Sequence, residues 1–144
     1  MAIPMDDAPD DFESMIARAE AAVEALRETY REQLAEDVAS LCALWSRIES
    51  EGVDQAKLDE LHSIAHNIKG QGGSFGYDLV TDIGASFCAY LRGSPRMAPN
   101  ELAILSMHIR VLKNVSDNNI TGDGGETGAR LMEKLRQLTS GAAK

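Results

Sequence analysis

Apolar residues recur at steps of three and four along most of this chain, the spacing of amphipathic helices. From Asp11 to Ser50 no glycine or proline interrupts the pattern, and Phe12, Met15, Ile16, Ala19, Val23, Leu26, Tyr30, Leu34, Val38, Leu41, Trp45 and Ile48 mark its stripe. As one helix this segment would run about 60 Å at ~1.5 Å per residue, roughly twice what a compact bundle needs. Either it bends near its middle, or its first half protrudes and covers its apolar stripe elsewhere. Glu51-Gly52 ends it, and Asp54 is placed to cap a second helix bearing Leu58, Leu61, Ala65, Ile68, Gly72 and Phe75 on one stripe. A third helix is expected over Tyr77–Arg92, with Val80, Ile83, Phe87, Tyr90 and Leu91 inward. After a Gly93-Ser94-Pro95 loop, Leu102, Leu105, Ile109, Leu112 and Val115 predict a fourth helix to about Asn118. A loop rich in Gly, Asp and Asn precedes a last helix at about Thr127–Thr139, with Leu131, Met132, Leu135 and Leu138 on one side. No segment alternates with period two and no repeat is visible. The fold class is all-α, with short connections that favour antiparallel neighbours.

Composition narrows the functional classes. The 44% hydrophobic share contains only 5% aromatics, so Leu, Ala, Ile, Val and Met fill the core. Lys plus Arg number 14 against 23 acidic residues, a net charge of −9 that argues against nucleic acid or an anionic membrane as partner. The start, Met1-Ala2-Ile3-Pro4-Met5-Asp6-Asp7, has neither the basic region nor the apolar core of a signal peptide. No apolar run approaches the roughly 20 residues of a membrane helix. Cys42 and Cys88 lie within amphipathic patterns and read as free thiols of a reducing compartment, so the expected location is cytoplasmic.

The unusual stretch is His66-Asn67-Ile68-Lys69-Gly70-Gln71-Gly72-Gly73-Ser74-Phe75-Gly76. Each glycine within a helix costs roughly 1 kcal/mol relative to alanine, so repeated use here implies a need for missing side chains. His66 falls far from the buried stripe, with Lys69, Gly70 and Gly73 beside it at i+3, i+4 and i+7. The imidazole should face solvent, flanked by an ammonium group and bare backbone.

The pattern His66-x-x-Lys69-Gly70-x-x-Gly73-x-Phe75-Gly76 resembles the signature of histidine-containing phosphotransfer (HPt) domains of two-component phosphorelays. With its flanking helices the resemblance covers roughly residues 30–118. It implies an antiparallel four-helix bundle, here with an extended N-terminal helix and an extra C-terminal helix. The expected divisions are a disordered leader over 1–10, a helical extension over 11–29, the bundle over 30–118, and a Gly-rich loop with a C-terminal helix over 119–144. It also implies that His66 accepts a phosphoryl group and exchanges it with an aspartate of response-regulator receiver domains, a hybrid sensor kinase being a further candidate partner. By the same resemblance Arg92 adds positive charge to the docking face. Cys88 stands where some members carry a glutamine that orients the imidazole, a contact a thiol makes poorly.

The residue chemistry agrees with that implication. A nucleophilic imidazole must be neutral, and a solvent-exposed one mostly is near neutral pH. Lys69 can offset the charge of a bound phosphoryl group, and Gly70 and Gly73 clear the approach. Phosphoryl transfer needs mainly in-line positioning and charge stabilisation. A receiver domain with its own Mg²⁺ supplies most of that, so the chain is expected to be a phosphocarrier with no cofactor, no metal and no ATP site of its own. The competing reading is an interaction module that docks a partner through the His66/Gly73 face without phosphoryl chemistry. His62 lacks the following carboxylate of a His-Glu-x-x-His zinc motif and reads as a helix-surface neighbour. His108 shows no recognisable partner and reads as structural. Asp117-x-Asn119-x-Thr121-Gly122 begins like a calcium loop, but Gly128 stands at the twelfth position where a glutamate is required. The last helix is expected to cover the N-terminal half of the first. Failing that, the overhang should pair between chains, giving a monomer in the first case and a dimer through the N-terminal helix in the second.

Overall fold

The computed structural model describes residues 8–93 and 97–142. They form five helices: α1 (Ala8–Glu51), α2 (Gln55–Gly72), α3 (Asp78–Gly93), α4 (Pro99–Asp117) and α5 (Gly125–Ala142), with a short 3-10 turn at Gly73–Phe75 closing α2. The expected leader falls mostly on residues 1–7 and the Ser94-Pro95 turn on 94–96, which lie outside the described residues. Residues 8–10, assigned to the leader from the sequence, are already helical.

The upper part of α1 packs on α2 and α4, and α3 packs on the same two helices, so the four form a ring of neighbours. Their connections are short, so successive helices run antiparallel. Asp54 caps α2 as its position suggested, accepting from the Lys57 backbone N–H at 2.8 Å. The buried Lys57 ammonium lies 3.0 Å from Asp54 and 3.4 Å from Glu51, which ties the α1–α2 turn together. Inside, Leu34, Leu41, Leu61, Ile68, Ile83, Phe87, Leu105 and Leu112 are fully enclosed. This aliphatic core is the one the helical spacing outlined.

α1 is one helix of 44 residues, and every residue from Asp11 to Thr29 is exposed. At Tyr30 the same stripe turns abruptly buried. Tyr30 stacks on Phe75 at a centroid distance of 5.0 Å and meets Tyr77 at 5.2 Å, so these three rings close the end of the bundle. Burial, with the nearby Asp37 carboxylate adding to it, pushes the Tyr30 phenol up to about 12.

The expectation that the last helix covers the first half of α1 is not met. α5 packs on α3 and α4 instead. The loop before it is stitched to the start of α3: Gly122 donates to the Gly76 carbonyl at 2.5 Å and Leu79 donates to the Gly122 carbonyl at 2.8 Å. A side chain at Gly124 would strike Leu79 and the Gly128 backbone, so this corner closes only with glycine. The chain is thereby sent up the α3–α4 side. Asp117 and Asn119, which open the calcium-like pattern, serve structure: Asp117 pairs with Lys113 at 2.8 Å, and Asn119 accepts from the Tyr77 hydroxyl at 2.6 Å.

His108 is fully buried in α4, beside Phe87. Its Nδ1 lies 2.9 Å from the Ile104 carbonyl, which can only accept, so Nδ1 carries the proton and Nε2 accepts from the Ser86 hydroxyl at 2.8 Å. Burial pushes its pKa below the usual histidine value, with the Ile104 bond opposing. On acidification the unfolded chain therefore binds this proton before the folded one. Stability should hold above about pH 6.5 and erode below it. Urea midpoints measured across that window should fall, and fall less in His108→Gln; an equal fall in both proteins would remove His108 as a contributor.

Candidate functional site

Mid-way along α2, the apolar positions Leu61, Ala65, Ile68 and Gly72 face inward, which turns His66 outward. The His66 imidazole is exposed and lies nearly parallel to the His62 ring, with centroids 6.3 Å apart. His62 is half-buried, and its Nε2 is enclosed without a hydrogen-bond partner among the described residues. Lys69, one turn after His66, is half-buried, while Gly70 and Gly73 are exposed. Arg92, in the last turn of α3, is also exposed and lines a shallow groove with His62, Asp59 and Leu91. The structure thus brings His66, Lys69 and Gly70 onto one face of α2, with Gly73 at its C-cap and Arg92 at the edge, next to His62. Cys88 is not on that face: it is fully buried, and burial pushes its thiol up against the opposing influence of Lys69 and Arg92.

The glycines of this stretch divide into two kinds. A Cβ on Gly70 would meet nothing within 4 Å, and one on Gly73 would meet Thr81 Oγ1 at an ordinary 3.6 Å. Neither has a packing reason to be glycine. Gly72 is different: a Cβ there would come 2.5 Å from Thr81 Oγ1 and 2.9 Å from the Tyr77 carbonyl. Gly76 has a positive φ of 84° and ends the 3-10 turn in the left-handed conformation that glycine tolerates best.

Two residues that the sequence reading passed over hold the site from beneath. The Thr81 hydroxyl donates to the Lys69 carbonyl at 3.2 Å. Gly84 presses on the backbone at Lys69, where an added Cβ would lie 2.9 Å from Cα and 3.0 Å from N. A lone glycine inside a strongly apolar helix, between Ile83 and Ala85, was the available signal.

The arrangement offers a nucleophile, a neighbouring cation and open backbone. Among the described residues no group of three metal-binding side chains gathers there or elsewhere, and no helix is long and apolar enough to cross a membrane. Searches of curated proteins and of solved structures return no significant match. The family model of the Hpt domain matches residues 25–116, which takes in the ring of four helices and the whole His66 face. The chain belongs to the Hpt-domain family, the histidine phosphotransfer proteins of two-component phosphorelays.

Proposed function

We propose that His66 is the phosphoacceptor and that it exchanges its phosphoryl group with the aspartate of a response-regulator receiver domain. Hpt domains serve phosphorelays as carriers between receiver domains and kinases. The observation that carries the assignment to this residue is the pair of exposed glycines beside His66, one within α2 and one at its C-cap, that no neighbour requires. For Gly70, inside α2, that costs the helix roughly 1 kcal/mol relative to alanine, a cost borne where something from outside must come close.

In the transfer a neutral ring nitrogen of His66 attacks the phosphorus of the receiver's acyl phosphate. The phosphorus–oxygen bond breaks, the aspartate leaves as carboxylate, and the ring releases its remaining N–H proton to solvent. Lys69 offsets the charge on the transferred group, Gly70 and Gly73 admit the receiver, and Arg92 adds positive charge at the edge of the contact. The receiver contributes its own Mg²⁺ and most of the transition-state stabilisation, so this chain needs no cofactor and no ATP site.

The test is incubation with a phosphorylated receiver domain followed by intact-mass measurement. Gain of one phosphoryl group supports the reading, whereas receiver binding without mass gain would leave a docking module. Lys69→Ala should keep the acceptor but slow transfer by about tenfold or more, the factor that ~1.4 kcal/mol of lost charge stabilisation represents. Stopped-flow transfer rates decide it, and an unchanged rate would strip Lys69 of its role.

A further inference from the structure

The first half of α1 leaves an unusually large apolar stripe uncovered: Phe12 is 63% exposed, Met15 58%, Val23 48% and Leu26 55%. Its spacing differs from that of the bundle. Phe12, Ile16, Ala19, Val23, Leu26 and Tyr30 follow one another at steps of four and three in strict alternation, whereas the next steps, to Leu34 and Val38, are both four. Strict alternation averages to the ~3.5-residue period of a two-helix seam. α5, the one helix of this chain positioned to cover the stripe by expectation, packs elsewhere.

We propose that this half of α1 pairs antiparallel with the same segment of a second copy of the chain. The flanks of the seam choose the orientation. Glu13, Glu20 and Arg27 each follow a seam residue and form one flank, while Met15, Ala22 and Thr29 form the other. In an antiparallel pair like flanks face each other. Glu13 then meets Arg27 of the second copy at both ends, and Met15 and Ala22 widen the apolar contact. A parallel pair sets the charged flank against Met15, Ala22 and Thr29 and gains no charge pair. Among the described residues Arg27 is held only by an exposed ion pair to Glu24 at 3.4 Å, a contact that solvent makes weak and easily exchanged.

The same register places Ile16 opposite Leu26 and Ala19 opposite Val23, so Phe12 of the second copy arrives at Tyr30. A groove opens there between α1 and the end of the bundle, its wall carrying Glu24, Arg27, Glu28 and Arg31 from α1 and Phe75 and Tyr77 from the bundle. It offers aromatic edges to a phenyl ring, and Arg27 there can exchange its exposed Glu24 partner for Glu13 beside that ring, while Arg31 stays paired with Glu28 at 3.8 Å. Two stripes of this length bury on the order of 1,000 Å² in total, near the lower limit for a specific interface. The dimer should therefore be reversible and of micromolar affinity.

Sedimentation equilibrium of the full chain from low to several hundred micromolar tests this. A concentration-dependent dimer is expected, and Leu26→Glu should raise its dissociation constant more than about tenfold without loss of helix, because Leu26 is exposed in the single chain. Glu13→Arg and Arg27→Glu should each weaken the dimer, and the double exchange should restore it. Glu20→Gln should tighten it, since Glu20 faces its own copy across the twofold axis. A monomer at every concentration would overturn the proposal, as would a double exchange that fails to restore the dimer. Weakened receiver binding by a monomeric Leu26→Glu variant would give the stripe to the receiver instead. Labelling of His66 in that same variant reads the phosphotransfer assignment separately.

Discussion

His66→Gln is expected to abolish phosphoryl uptake from a phosphorylated receiver while leaving the helical bundle intact. Glutamine keeps the polarity and approximate length of the side chain but offers no nucleophilic ring nitrogen. The imidazole is exposed on the outer face of α2, opposite Ala65 and Ile68, which are buried. Its replacement removes no core contact, so stability should shift by less than about 0.5 kcal/mol. Loss of uptake at unchanged melting temperature therefore separates chemistry from folding. Mass gain equal to that of the parent protein would mean that another residue accepts the group.

The second large effect is expected at Gly84. Here α3 approaches α2 so closely that a Cβ would lie 2.9–3.0 Å from the Lys69 backbone, atoms that cannot turn aside as a side-chain tip can. Overpacking of this kind costs about 1–3 kcal/mol, against which alanine recovers about 1 kcal/mol of helix propensity. Valine recovers less and intrudes more. Gly84→Ala should thus destabilise modestly and Gly84→Val by about 2 kcal/mol or more. Both should slow transfer, because α2 must move away from α3 at the residue that carries the ammonium group. Gly70→Ala is the opposite case. Nothing lies within 4 Å of the new methyl group, so the helix should gain about 1 kcal/mol while receiver docking weakens. Chemical denaturation and transfer rates on the three variants check both halves. A stabilised Gly84→Val, or a Gly70→Ala protein that transfers at the parent rate, would contradict this division of the glycines.

These two glycines also show what could be read before the fold was known. Helix content, the inward residues of α2, α3 and α4, and the outward turn of His66 follow from local periodicity, which each helix carries in its own residues. The His66–Gly76 pattern marks the candidate site because its spacing along α2 is itself the geometry. Spacing does not say what lies across from a residue. Gly70 and Gly72 look alike in sequence, yet one faces open space and the other Thr81 and the Tyr77 carbonyl. Gly84 went unnoticed for the same reason, since its role depends on Lys69, fifteen positions away on another helix. The place of α5 differs from the expected one because it is decided by the backbone bonds joining Gly122 to Gly76 and Leu79, contacts between segments that no helical pattern records. His108 was read as structural, but its partners Ser86 and Ile104 became visible only with α3 and α4 side by side.

The most direct measurement is site mapping of the acid-labile phosphoryl group after the protein meets a phosphorylated receiver domain. A single group on His66, returned to the receiver when the unphosphorylated form is added in excess, is the predicted result. A protein that binds the receiver but stays unlabelled, or carries the group on any other residue, would contradict the account.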